Sequence, residues 1–138
     1  MATVRDAMTE NPKTVDAGTS VTEVAQTMRD SDVGSILVTE ADTLSGIVTD
    51  RDIVVRSLAE GRDPDDTTAG DVCTSDPKTL SPDDDLGDAV NQVKGSDIRR
   101  LPVVEDGKPV GILSLGDLAE RLDPESVLAD ISSAPANN

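Results

Sequence analysis

The chain has 138 residues with a formal net charge of −16, and it contains no His, Phe, Tyr or Trp. A surface this negative repels a phosphate backbone, and without rings there is no platform for unpaired bases, so nucleic acid is excluded as a partner. A single cysteine, Cys73, precludes an internal disulfide, and with no His the chain has no ordinary zinc set, so no metal ligands are assigned. Cys73 is expected to be a small buried hydrophobe.

The hydrophobic content of 36% is almost wholly aliphatic and sufficient for a small core. The length suits one domain, or two small units sharing a core. Asp outnumbers Glu and Arg outnumbers Lys, a balance found in salt-tolerant and GC-rich sources alike. No apolar N-terminal run and no apolar stretch long enough for a membrane span is present, which predicts a soluble cytoplasmic protein with no membrane partner.

Taken in order, the chain opens with a short helical piece, Val4 to Met8, broken by Pro12, and a brief extended run over Lys13-Thr14-Val15 follows. Ser20 then caps a helix whose apolar positions Val21, Val24, Ala25 and Met28 fall at spacings of three and four. Two β-rich runs come next, Ser35 to Thr39 and Leu44 to Val48, and a last helix starts at Thr49 and carries Ile53, Val54, Val55 and Leu58. A polar connection, Gly61 to Thr68, holds turn-forming residues.

The same series then repeats. Residues 4–57 align without a gap on residues 69–122 at an offset of 65, with identities that include Asp6/Asp71, Pro12/Pro77, Gly46/Gly111, Ile47/Ile112, Asp52/Asp117 and Arg56/Arg121. The second copy has its helical piece over Ala69 to Cys73, an extended run at Lys78-Thr79-Leu80 and a helix on Leu86, Ala89, Val90 and Val93. Its β runs are Arg100 to Val104 and Pro109 to Leu113, joined by Asp106-Gly107, a hairpin signal, and its last helix carries Leu118, Ala119 and Leu122. The expectation is an α+β (α/β) fold: two βαββα repeats related by a pseudo-twofold, sheets packed together with helices on their outer faces. The predicted boundaries are repeat 1 over 1–61, a linker over 62–68, repeat 2 over 69–123, and a C-terminal helix and frayed tail over 124–138.

The sharpest feature is a strand-to-helix junction made twice, Gly46-Ile47-Val48-Thr49-Asp50-Arg51-Asp52 and Gly111-Ile112-Leu113-Ser114-Leu115-Gly116-Asp117. A hydroxyl at the helix start and an acid three residues later can accept from sugar hydroxyls, and free backbone N–H groups there suit an anion. The same residues also read as plain capping boxes, with Asp in place of Glu.

The pattern Met-Thr-x-x-Pro-x-Thr-Val, Val-x-x-Val-Ala-x-x-Met and Gly-Ile-Val-Thr-Asp-Arg-Asp-Ile resembles a cystathionine-β-synthase (CBS) domain pair, or Bateman module. A second Arg-Arg-Leu-Pro-Val-Val and Gly-Ile-Leu-Ser-x-x-Asp carry the likeness over about residues 3 to 123, in the manner of stand-alone bacterial two-CBS proteins. The resemblance implies a regulatory module that takes an adenosine-containing ligand, AMP, ADP, ATP, NAD or S-adenosylmethionine, in the cleft between repeats, with no obligatory cofactor. It implies that Asp52 and Asp117 hold ribose hydroxyls and that Thr49 and Ser114 hold ribose or phosphate. It further implies that backbone groups of Thr14-Val15 and Thr79-Leu80 meet the adenine edge, and that Arg99 and Arg100, before Leu101 and Pro102, bind phosphate. An Arg fork suits that role.

Repeat 1 has Gly34-Ser35-Ile36-Leu37 where repeat 2 has Arg99-Arg100-Leu101-Pro102, so the two sites are expected to be unequal. The main expectation is a ligand sensor signalling by conformational or dimer rearrangement to a downstream protein that the sequence does not identify. One alternative is a ligand-free homodimeric interaction protein built on Ile53 to Leu58 and Leu118 to Leu122, and another is a divalent-cation-responsive module using surface carboxylates. An enzyme fits poorly, with no nucleophile and base pair and no His.

Overall fold

The computed structural model describes residues 2–93 and 100–114. The expected Arg99 and Asp117, and the helices expected beyond Ser114, lie outside the described residues. The described residues form two compact units, unit 1 from residues 2–11, 78–93 and 100–114 and unit 2 from Pro12–Pro77. Each unit is therefore completed by a segment from the start of the other copy's sequence.

Unit 2 holds β2 (Thr14–Asp16), α2 (Val21–Ser31), β3 (Ser35–Glu40), β4 (Thr43–Thr49), α3 (Asp50–Ile53), α4 (Ala69–Val72) and β5 (Thr74–Ser75). Its sheet runs β2-β3-β4-β5, with β2 parallel to β3 and the other pairs antiparallel. Helix α2 forms where expected because Val21, Val24 and Met28 share one face, buried with Ile36, Val38, Val48, Ile53, Ala69 and Val72. Ala25, counted on that face from spacing, is exposed. Ser20 Oγ accepts from the Glu23 N–H at 3.2 Å. The expected linker folds back to finish the job, its Thr67 and Pro64 carbonyls accepting from the Val21 and Thr22 N–H groups at 2.8 and 3.2 Å.

The helix beginning at Asp50 is α-helical for one turn only. Residues Val54–Leu58 widen into a π-helical turn, in which the Ala59 N–H reaches the Val54 carbonyl at 2.8 Å.

Unit 1 holds α1 (Val4–Ala7), β1 (Thr9–Glu10), α5 (Leu86–Val93), β6 (Arg100–Glu105) and β7 (Lys108–Ser114). Its sheet order is β1-β7-β6, all antiparallel, and Leu80 bridges to Val103 in parallel on the free side of β6. That bridge is the counterpart, 65 residues on, of the Val15–Val38 pair in unit 2. Val4, Ala7, Leu80, Leu86, Ala89, Leu101, Val103 and Leu113 make a separate core. The Asp106-Gly107 hairpin has φ of 54° and 81°, as its sequence predicts; at the matching turn, Ala41 and Asp42 take φ of 50° and 66° without a glycine.

The repeated glycines have one cause. A Cβ on Gly46 would lie 2.7 Å from Cys73 Sγ and 2.7 Å from the Thr74 carbonyl oxygen, and a Cβ on Gly111 would lie 2.5 Å from Met8 Sδ. Met8 and Cys73 occupy equivalent repeat positions, so in both units a sulfur and the incoming strand (β1 or β5) press on bare backbone.

Candidate functional site

In unit 2 the ends of β3 and β4 meet at Ser35 opposite Thr49. Thr14 and Val15 lie beside Leu37 and Val38, with the Lys13 carbonyl accepting from the Leu37 N–H at 3.0 Å. Thr49 is the N-cap of α3: its Oγ1 accepts from the Asp52 N–H at 3.1 Å, and Asp52 Oδ2 accepts from the Thr49 N–H at 3.0 Å. The capping reading of these two residues is therefore realised in full. Asp52 also lies 3.9 Å, through Oδ1, from Arg56 Nε, with its side chain only 14% exposed.

The same Thr-x-x-Asp box recurs at Thr3/Asp6 and Thr68/Asp71, starting α1 and α4. This arrangement is thus a general way of starting helices in this chain. A ligand role for Asp52 needs the oxygen facing Arg56, because the other oxygen is committed to the cap.

In unit 1 the corresponding residues come together on the same plan. Arg100 pairs with Ser114 across β6 and β7, and its side chain is exposed at the strand end. The Leu80 N–H donates to the Pro102 carbonyl at 3.0 Å, and the Leu80 carbonyl accepts from the Val104 N–H at 2.8 Å. The Leu80 backbone is thereby fixed against β6 between Pro102 and Val104. Leu80 itself is 2% exposed and both its backbone groups are engaged by β6, so recognition in this stretch falls to the exposed Thr79.

The two junctions differ in charge. The Gly34 carbonyl accepts from the Asp50 N–H at 3.0 Å, and a Cβ on Gly34 would sit 3.1 Å from the Asp50 carboxylate. A carboxylate therefore lies where the second repeat carries Arg99 in its sequence. The first junction carries Asp50, Arg51 and Asp52 with Ser35 on β3, while the second has Leu115, Gly116 and Asp117 in its sequence with Arg100 on β6.

Sequence reasoning missed Arg56. Its guanidinium Nη1 donates to the Val72 and Cys73 carbonyls at 3.3 and 3.2 Å, joining the junction helix to the end of α4. The signal was present as the Arg56/Arg121 identity and as the four-residue spacing from Asp52. Beside it, Cys73 is 8% exposed, and burial is the first cause raising its thiol above the ordinary range, which makes it a poor nucleophile. Among the described residues no helix is long and apolar enough to cross a membrane.

The CBS-domain family model matches residues 4–58 and 69–124. The chain is 40% identical over 119 residues to the CBS domain-containing protein YhcV of Bacillus subtilis, covering 86% of this chain and 84% of the relative. It is 32% identical to hypoxic response protein 1 of Mycobacterium tuberculosis, covering 93% of this chain and 90% of that protein. The crystal structure of hypoxic response protein I with two coordinated zinc ions superposes with a TM-score of 0.80 over 88% of this chain and 100% of that one, at 33% identity. The structure of CBSX2 in complex with AMP superposes with a TM-score of 0.76 at 29% identity, over 91% of this chain and 99% of the other. With both repeats matched and their fold reproduced, the chain belongs to the CBS-domain family as a tandem pair of CBS domains.

Proposed function

We propose that this CBS pair is a regulatory module, without catalytic activity of its own, that senses an adenosine-containing ligand bearing phosphate. The observation that carries the reading is the arrangement in unit 1: an exposed Arg100 at the start of β6, paired across the ladder with Ser114, on the strand whose Pro102 and Val104 hold the Leu80 backbone. Arg supplies a planar pair of donors for a phosphate, a hydroxyl supplies a partner for ribose or phosphate, and strand backbone can read an adenine edge. The AMP bound by the structural relative CBSX2 supports that ligand class. Arg99 and Asp117, neighbours in sequence of Arg100 and Ser114, complete the proposed set. The site at Thr14, Val15, Thr49 and Asp52 is the weaker one, since Gly34 and Ser35 stand where the second repeat has Arg99 and Arg100, and Asp50 stands where it has Leu115.

The zinc of hypoxic response protein I does not transfer to this sequence, which has no His and one Cys. A second reading rests on Val54, Val55 and Leu58, whose side chains are exposed by about half on the π-helical turn. They support pairing of two copies through this helix, as a homodimer that either transmits the ligand signal or docks a partner protein without any ligand.

The test is thermal unfolding with AMP, ADP, ATP, NAD and S-adenosylmethionine, for the native chain and for Arg100→Ala and Asp117→Asn. A ligand at a hundredfold excess over its Kd adds about 2.7 kcal/mol to the folded state. A rise with one phosphate-bearing ligand, lost in both variants, is expected. No rise with any of the five transfers the assignment to the ligand-free dimer, and a rise that follows Mg or Ca alone transfers it to a cation-responsive module.

A further inference from the structure

Residues 2–10 are essential to unit 1, and the described chain reaches them from that unit only by way of unit 2. Val4 is fully buried and Ala7 is 7% exposed, in one cluster with Leu86, Ala89, Leu101 and Leu113. The Ala2 carbonyl accepts from the Leu86 N–H at 3.1 Å, and the Val4 and Arg5 N–H groups donate to the Asp84 and Pro82 carbonyls at 2.9 Å each. Thr9 and Glu10 add an edge strand opposite Ile112 and Gly111, and Arg5 lies 3.3 Å from Glu105. This is a complete docking interface for a short segment: apolar anchors, helix-end hydrogen bonds, a strand register and an ion pair.

The hinge on which the segment hangs is short and strained. Asn11-Pro12-Lys13 separates β1 from β2, and Asn11 is held at φ 54° immediately before a proline, which favours extended backbone in the preceding residue. Asp76, at φ 49° before Pro77, repeats the feature at the other crossing. A short hinge under strain favours exchange of the element it carries, because the docking contacts are the same whichever chain supplies the segment, and only the hinge conformation and concentration differ.

We propose that the groove of unit 1 also accepts residues 2–10 of a second copy of this chain, giving a dimer by reciprocal exchange with Asn11 relaxed to extended backbone. The occupant is identified by the contacts above, which no unrelated segment reproduces in register. The inference is independent of any ligand.

The test refolds the full chain from urea at low and at high concentration and separates monomer from dimer with mass measured by light scattering. A Thr9→Cys, Ile112→Cys pair in a Cys73→Ala background reports the connectivity, since these two residues face each other in the antiparallel ladder. At high concentration a dimer is expected whose engineered cysteines bond chain to chain, while the monomer bonds within the chain. Inserting Gly-Ser-Gly-Ser after Asn11 is expected to lower the dimer share about tenfold by releasing the hinge in the closed form. The proposal is overturned by absence of a dimer, by a dimer in which no chain-to-chain bond forms, or by a dimer share unmoved by the longer hinge.

Discussion

Replacing each repeated glycine by alanine should give unequal losses, although the two occupy equivalent positions. At Gly46 the new methyl would meet the Thr74 carbonyl oxygen and Cys73 Sγ, each at 2.7 Å. The oxygen belongs to the backbone of β5, a strand of two residues paired with Gly46 and Ile47, and it can retreat only by parting that ladder. Overpacking of this kind costs about 3 kcal/mol at the upper end, against which Ala recovers about 0.7 kcal/mol by restricting the unfolded chain. Gly46→Ala should therefore lose about 2 kcal/mol. At Gly111 the closest atoms are Met8 Sδ at 2.5 Å and Cγ at 3.0 Å, with the Thr9 oxygen at 3.0 Å. A flexible thioether can swing aside and the backbone needs to give only slightly, so Gly111→Ala should lose about 0.5 kcal/mol or less. Urea unfolding of both variants measures the difference. Adding Cys73→Ala to Gly46→Ala should recover only part of the loss, because the carbonyl clash remains. Equal losses at the two glycines, or full recovery without the sulfur, would refute the reasoning.

Three further outcomes follow from the same geometry. Asp71 has its carboxyl held below the usual range, first by the Thr68 backbone N–H and then by the Thr68 hydroxyl. A lowered folded pKa adds stability that is present above the unfolded value of about 3.9 and lost as pH falls through the folded one. The stability deficit of Asp71→Asn, read from urea midpoints, should thus be largest near neutrality and vanish in strong acid; a constant deficit would sink the argument. Arg56→Lys should destabilise by about 1 kcal/mol, since one ammonium cannot hold two carbonyls and a carboxylate as the guanidinium does, and a chemical melt checks it. Exchanging Ala41-Asp42 for Asn-Gly should stabilise by about 1 kcal/mol, because both residues already sit at positive φ in a turn that Asn-Gly prefers, and an unchanged melting point would count against it.

Much of the architecture was legible because it rests on local rules repeated at a fixed offset. The period of Val21, Val24 and Met28 and the turn chemistry of Asp106-Gly107 act within a few residues, and the structure follows them. What escaped was tertiary in origin. Strands β1 and β5 are two residues each, too short to show alternation, and exist because β7 and β4 offer an edge. Nothing local distinguishes a segment that completes its own repeat from one that completes the other, so the division at Asn11 and Pro77 was invisible. The π-helical turn also has no local signature, and it leaves Ser57 fully buried while Val54, Val55 and Leu58 face outward. At the candidate site the pairing of Arg100 with Ser114 followed from the repeat and the Asp52 cap from its Thr-x-x-Asp spacing, whereas the separate partners of the two Asp52 oxygens, the Thr49 N–H and Arg56, could be seen only in the structure.

That division of partners changes how the first junction should be interrogated. Removing the Asp52 carboxylate outright deletes a helix cap worth about 1 kcal/mol together with any ligand contact, so loss of binding in Asp52→Ala would not separate the two. Asp52→Asn keeps an oxygen that can accept from the Thr49 N–H while removing the charge that faces Arg56. If the carboxylate serves only the cap, Asn should preserve both the fold and whatever binding unit 2 shows. If its second oxygen meets a ribose, Asn should hold the melting temperature near that of the native chain and still weaken the ligand. The comparison rests on one residue having two oxygens with separate partners, and the Thr3/Asp6 and Thr68/Asp71 boxes supply the control in which no ligand role is assigned.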